Sequence, residues 1–190
     1  MDERLVSMID FYRSTSKRNH QKIKVINEKL DELIHLPNKF LLGDDYDGFY
    51  TEYHNQKDTH LMTFIVFQAM AIEAFLNEYI YLRLGKLYFE SLDKLSPADK
   101  LLVACKMITG KDFSKESHAY CLLVKTIKHR NELVHFKSEK KHYFDSISEQ
   151  DINDISITYD KIVEELNSLD TSFDPKYLKP IEDDFWNKEY

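Results

Sequence analysis

From Asp58 to Phe89 the chain is apolar on nearly every side, through Leu61, Met62, Phe64, Ile65, Val66, Phe67, Met70, Ile72, Phe75 and Leu76. A helix that is hydrophobic all round must be covered all round, by protein or by lipid. The segment is long enough to span a bilayer. Gln68, Glu73, Asn77, Glu78 and Arg83 interrupt it, however, and each charge near the centre of a span penalises insertion by a few kcal/mol. The segment therefore reads as a buried central helix, with no membrane association expected, and the rest of the chain has to be arranged around it.

Four glycines and four prolines in 190 residues leave few turn signals, which favours long helices over a sandwich or barrel. Leu5, Met8, Ile9 and Tyr12, then Ile23, Ile26, Leu30 and Leu33, recur at helical spacing. They predict a long first helix with a break near the polar Ser14–Gln21 run and an end at Leu36-Pro37. Residues 37–57 read as a long connection, with Tyr46, Phe49, Tyr50 and Tyr53 folding back over the core. Its acidic stretch, Gly43 to Gly48, is turn-like and lacks the spacing of a calcium loop, so no metal is expected there. Ser96-Pro97-Ala98-Asp99 is a helix start, and Gly110 a stop. A further helix is expected from about Ser114–Ser117 to His135. Ser148-x-x-Asp151 begins a last core helix carrying Ile152, Ile155, Tyr159, Ile162, Leu166 and Leu169. From Asp170 on, two prolines, many charges, Phe173, Tyr177, Phe185 and Trp186 read as a tail that straps onto the domain or a partner. The expectation is one all-α domain over residues 1–190, an up-and-down bundle of about five core helices. The helix ending at His135 lies near its centre, with the N-terminal helix and C-terminal tail packed outside.

That helix carries the candidate chemistry. At about 100° per residue, Tyr120, Leu123, Val124, Ile127 and Val134 share one face. Asn131 falls in the middle of that face, with Arg130 on one shoulder and His135 on the other. An amide in an apolar stripe must find a partner or open onto a cavity, because burying it unpaired costs a few kcal/mol. An imidazole can take or give a proton near neutrality without a metal. A guanidinium stays charged and can stabilise a phosphoryl group, and the Asn131 amide can hold either the histidine or a phosphate oxygen. Lys128 lies beside His135 on the helical wheel, and Lys137, Lys140, Lys141 and His142 follow. This cluster reads either as a grip for an RNA backbone or as an ordinary solvated turn.

Arg-Asn-x-x-x-His ends a late helix of a small all-helical chain, two helices after the Ile72-Glu73-Ala74-Phe75-Leu76-Asn77 segment. This combination resembles the HEPN superfamily (higher eukaryotes and prokaryotes nucleotide-binding), over about residues 58–169, with 1–57 and 170–190 outside it. The resemblance implies a metal-independent endoribonuclease of toxin or phage-defence type, with Arg130 and His135 catalytic, Asn131 positioning them, and RNA cut by 2′-OH attack. It implies no cofactor, RNA or a nucleotide as partner, and an antitoxin or nucleotidyltransferase as a second protein. The family also contains members that bind without cutting, so a nucleotide-binding or partner-neutralising module is the alternative, and a structural helical adaptor the third reading.

Glu73 and Asn77 are four apart and share a face. They form either a polar edge solvated at a helix crossing, or a support in which Glu73 orients Arg130. Arg13 and His20 match the same motif with six residues between, but read as a solvated face. A second stripe on the motif helix, Leu122, Thr126 and Leu133 with His129 among them, predicts a homodimer interface.

Other chemistries find no support. There is no HExxH, CxxC pair, GxGxxG or phosphate-binding lysine loop. The formal charge of −7 argues against bulk attraction to nucleic acid, though not against a local basic patch. Cys105 and Cys121 form no CxxC and read as buried thiols in a reducing compartment. With an acidic start, Met-Asp-Glu-Arg, and no apolar signal region, the expected location is the cytoplasm.

Overall fold

The computed structural model describes residues 3–36, 43–135 and 144–173, and among them all regular structure is helical. The helices are α1 (Glu3–Ile34), α2 (Asp44–Leu84), the short α3 (Lys86–Leu92), α4 (Pro97–Thr109), α5 (His118–Val134) and α6 (Glu149–Leu169), with a 3-10 turn at Phe144–Ser146 before α6.

Local signals set most of the boundaries. Ser96 Oγ accepts the Asp99 N–H at 3.2 Å, and Pro97 opens α4. Ser117 caps α5 through the Tyr120 N–H at 3.2 Å. Ser148 and Asp151 cap α6 reciprocally, at 3.1 and 2.8 Å. Each bond satisfies an amide that the first helical turn leaves without an intrahelical partner. Gly85 (φ 81°) and Gly110 (φ 72°) stop α2 and α4 in backbone conformations that a Cβ would strain.

The axis of the bundle is α2, which touches every other helix. Ser16 reaches Phe64 and Gln68, Asn19 meets His60, and Lys29 lies over Tyr53, so α1 runs antiparallel to α2. Gln68 meets Ser156 and Arg83 meets Asp170, so α6 runs parallel to α2. Thr126 pairs with Thr158 and His129 lies against Asp151, so α5 runs antiparallel to α6. The four long helices thus alternate in direction. By length and hydropathy α2 would pass for a membrane span, yet half of its most apolar window is buried inside the bundle.

Three expectations change. The first is the break in α1, which is instead continuous through Ser14–Gln21. Ser14 donates to the Asp10 carbonyl (2.6 Å), Asn19 to the Thr15 carbonyl (2.8 Å), and Ser16 to Gln68 (3.0 Å), so those polar groups are satisfied without leaving the helix. Second, α1 is not packed outside, because Ile9, Ile23, Ile26 and Leu30 are buried in the core. The central helix is α2 rather than α5.

Third, most of the expected connection is helical. Asp45 and Asp47 sit in the first turn of α2, where the helix dipole favours negative charge. Tyr46, Tyr50 and His54 follow at four-residue spacing with rings in contact. Residues 37–42 lie outside the described residues. Of the expected tail, only the start lies among the described residues. Phe173 is buried edge-on against Phe75 and Tyr79, and Asp170 accepts from Tyr79 (3.0 Å) and Arg83 (3.2 Å). Tyr177, Phe185 and Trp186 lie outside the described residues.

Candidate functional site

The buried side of α5 is Ala119, Leu122, Leu123 and Thr126. Thr126 and Thr158 share a hydrogen bond at 2.9 Å inside the core. Lys125 Nζ bridges Asp151 and Asp154, each at 2.6 Å. Burial works against the Asp151 charge, but hydrogen bonds from Lys125 and Ser148 outweigh it and hold the carboxyl well below the usual carboxylate range. Burial likewise opposes the Lys125 charge, and its two carboxylate partners reverse that and raise it. His129 lies 4.0 Å from Asp151 and is held below its ordinary value, mainly by burial.

This arrangement closes the second stripe within one chain. Leu122 and Thr126 are buried and Leu133 packs against the smaller core cluster of Ile23, Leu61, Phe64, Ile65, Ile152 and Ile155. The apolar side chains that pointed to a two-fold interface are covered by the chain's own α6, α2 and α1, so that stripe gives no reason to expect a homodimer.

The open side of α5 is the one that carries Asn131. Val124 is 44% exposed and Val134 55%. A groove of about 660 Å³ runs along this side. Val124, Ile127, Lys128, Asn131, Glu132 and His135 form one wall, and Ser96 and Ala98 at the start of α4 form the other. Arg130 donates to Asn131 Oδ1 at 2.9 Å. The amide in the apolar stripe has thus found both a partner and an opening. His135 is the residue on which α5 ends, its own N–H bonded to the Asn131 carbonyl at 2.9 Å. Asn131 therefore touches Arg130 through its side chain and His135 through its backbone.

Glu73 and Asn77 are not part of this group. Both turn to Lys100, whose side chain is fully buried: Asn77 Oδ1 accepts from Lys100 Nζ at 2.8 Å, and Glu73 lies 3.8 Å away. Asp93 adds a third acceptor at 3.5 Å. Of the two readings left open, neither a solvated edge nor a support for Arg130 describes the pair, which holds a cation at the start of α4, next to the groove's second wall. Lys128 lines the groove, whereas Lys137, Lys140, Lys141 and His142 lie outside the described residues. Arg13 and His20 are not on a solvated face either, since both are partly buried beside a half-open recess between α1, α2 and α6. Among the described residues no group of His, Cys, Asp and Glu is arranged to hold a metal.

Two contributors escaped the sequence reading. Ser96 was visible as a cap but not as a groove wall. Asp151 was visible as a cap but not as the partner of Lys125.

Fold and site together define an all-helical bundle with an open groove lined by Asn131 and His135 at the end of one helix; Arg130 does not line it and joins it only through its bond to Asn131. Comparison with protein-family models, curated proteins and solved structures finds no match for the chain.

Proposed function

We propose that the protein is a metal-independent endoribonuclease, resembling HEPN nucleases of toxin or phage-defence type, with Arg130, Asn131 and His135 as its working residues. The observation that supports this reading best is the sharing of one open groove by Asn131, His135 and Lys128, with Arg130 hydrogen-bonded to Asn131. In this reading Lys128 and Arg130 hold a phosphodiester in the groove. His135 assists proton transfer as the ribose 2′-oxygen bonds to phosphorus and the bond to the 5′-oxygen breaks, with the 2′-hydroxyl proton leaving and a proton arriving on the 5′-oxygen. Arg130 stabilises the charge that accumulates on the phosphoryl oxygens, a task that needs only a fixed cation close by. The products are a 2′,3′-cyclic phosphate and a 5′-hydroxyl, and DNA, lacking the 2′-hydroxyl, is not cut. A homodimer in this reading rests on the resemblance alone, with Val124 and Val134 as the apolar groups left on the open face.

The test is purified protein with single-stranded and structured RNA in EDTA, wild type beside Arg130→Ala and His135→Ala. General acid–base assistance is typically worth about 10²–10⁴-fold and one electrostatic donor about 10²–10³-fold, so each variant should lose nearly all cleavage. Cleavage that needs a divalent ion, or that survives both substitutions, removes the mechanism. RNA bound but never cut replaces it with the binding-module reading.

A further inference from the structure

From Phe11 to Asn27 the chain carries five basic residues, Arg13, Lys17, Arg18, Lys22 and Lys24, and no carboxylate, although its formal charge as a whole is −7. All of them lie on α1. Ser16, Asn19, Ile23 and Ile26 bury one side of that helix in the bundle, which leaves Arg18, Lys22 and Lys24 exposed on the other. Arg13 is already spent on Asp160, and Lys17 has contacts of its own. Arg18, Lys22 and Lys24 form no ion pair among the described residues.

A solvated helix face ordinarily mixes signs, because opposite charges four residues apart support the helix and like charges there weaken it. On α1, Arg18 and Lys22 stand four apart with the same sign, and the first acid after them is Glu28. The neighbouring helices do not neutralise this face. Contacts of Asn19 with His60 and of Lys29 with Tyr53 set residues 53–60 of α2 against it, and there Lys57 offsets Asp58. The carboxylate that α6 brings to α1, Asp160, is taken by Arg13. Nearby rings register the excess positive charge. Burial first, and then the charge of Lys24, holds His20 below its ordinary value, and burial followed by Lys22 does the same to His60.

The face also stands level with the α5 groove. Ile23, between Lys22 and Lys24, belongs to the core cluster against which Leu133 packs, and Leu133 lies between Asn131 and His135. Since α1 and α5 both pack on α2, their axes are at most two interhelical spacings apart, roughly 16–20 Å.

We propose that Arg18, Lys22 and Lys24 form a second contact for the phosphate backbone of RNA, outside the α5 groove, and that the substrate is a strand long enough to occupy both. This contact extends the reading of the groove as the RNA site and rests on it. With phosphates at least about 3.4 Å apart along a strand, roughly ten nucleotides cover the path between the two. An anionic membrane is the competing occupant. Val25 is the one large apolar side chain exposed between Lys17 and Lys29, so a bilayer would meet charge there without an apolar face to bury.

The experiment is binding of labelled 2′-O-methyl oligouridylates of about 5 and about 25 nucleotides, which cannot be cut by 2′-OH attack, to the full chain across a salt series. Vesicles of phosphatidylserine and phosphatidylcholine are the parallel probe. Wild type is compared with the combined Arg18→Gln, Lys22→Gln and Lys24→Gln variant, with a charge-matched control of Lys86→Gln, Lys94→Gln and Lys115→Gln, and with Lys128→Gln in the groove. Every replaced side chain is exposed, and glutamine is a good helix former, so the fold is kept, as circular dichroism would verify. For the longer strand, the α1 variant should lower the slope of log affinity against log salt by about 2, at about 0.7 per lost phosphate contact, and weaken binding about tenfold or more at 0.1 M salt. The control should bind as wild type, and the short strand should respond to Lys128→Gln but not to the α1 variant. If the short strand ignores Lys128 while the longer one still needs α1, the groove reading falls and the α1 contact stands. Equal binding of the longer strand by wild type and the α1 variant, or an equal loss in the control, overturns the proposal. Capture of the vesicles with no binding of RNA overturns it too and gives the face to a membrane.

Discussion

Lys100→Met isolates the interaction that gathers Asn77, Glu73 and Asp93 around one buried cation. The substitution keeps an unbranched stem of similar length in a fully buried slot, so packing is largely retained. What it deletes is the ammonium, with its 2.8 Å bond to Asn77 and its ion pairs to Glu73 and Asp93 at 3.8 and 3.5 Å. The Asp93 side chain is 59% exposed and Glu73 38%, so water takes over both carboxylates and they contribute little. The Asn77 bond is the larger loss, because a hydrogen bond to a charged group is worth about 1.5–3 kcal/mol. For a chain of this size that corresponds to roughly 3–12 °C in melting temperature, at about 2–4 °C per kcal/mol. Thermal and urea unfolding followed by far-ultraviolet circular dichroism would measure it. Lys100→Met with Asn77→Leu removes both ends of the bond and should recover part of the loss. If Lys100→Met melts at or above wild type, the cost of burying the ammonium exceeds the value of its bonds, and apolar packing rather than Lys100 fixes α4 to α2.

Acid sensitivity should divide into two ranges. Burial holds His20, His60 and His129 below the usual histidine value, so the folded state prefers them neutral. Their contribution is complete above about pH 6.5 and declines as pH falls below it, and an unfolding midpoint that stays flat between pH 7 and 5 would contradict this. Asp151 is depressed, so its contribution is complete above about pH 3.9 and declines only below that. Asp151→Asn should therefore lower the midpoint at pH 7 and flatten the acid limb, and an unchanged midpoint would show the Lys125 bridge to be inert. Thr126→Val should cost little, about 1 kcal/mol or less, because Thr158 keeps its bond to the Asp154 carbonyl, as urea titration would show. Of the two thiols expected to be buried only Cys105 is, Cys121 being exposed on α5, so in the native protein a thiol reagent should modify Cys121 and spare Cys105.

Helix starts were legible because they are local. Ser96, Ser117 and Ser148 each bond an amide three residues on, a relation written within one turn of chain. The continuity of α1 was not legible, because a polar run breaks a helix only when its side chains take the backbone's bonds elsewhere. In α1, Ser14 and Asn19 bond carbonyls four residues back and leave the ladder intact. The start of α2 was misread for a related reason, since acidic residues beside a glycine suit a turn and the first turn of a helix equally well. The polar position of Asn131 was also readable, because an amide in an apolar stripe has few physical outcomes. Which of two carboxylates or cations it would stand near was not, because charge sign alone does not say whether Glu73 meets Arg130 or Lys100.

The two stripes of α5 explain how one helix can hold its place and still present polar groups. Neither periodicity says which stripe faces inward, and the answer depends on α6. Lys125 against Asp151 and Asp154, and Thr126 against Thr158, fix the buried stripe near the middle of α5. With its backbone held from that side, the other stripe need not be apolar for the helix to be stable, and Lys128 and Asn131 occupy it without a packing penalty. Leu133 carries the anchorage into the last turn through the smaller core cluster, two residues before the helix ends at His135. A side chain at such a point has a backbone fixed on its N-terminal side and a direction no longer dictated by helical geometry. For the proton transfer proposed for His135, that combination would supply both placement and reach.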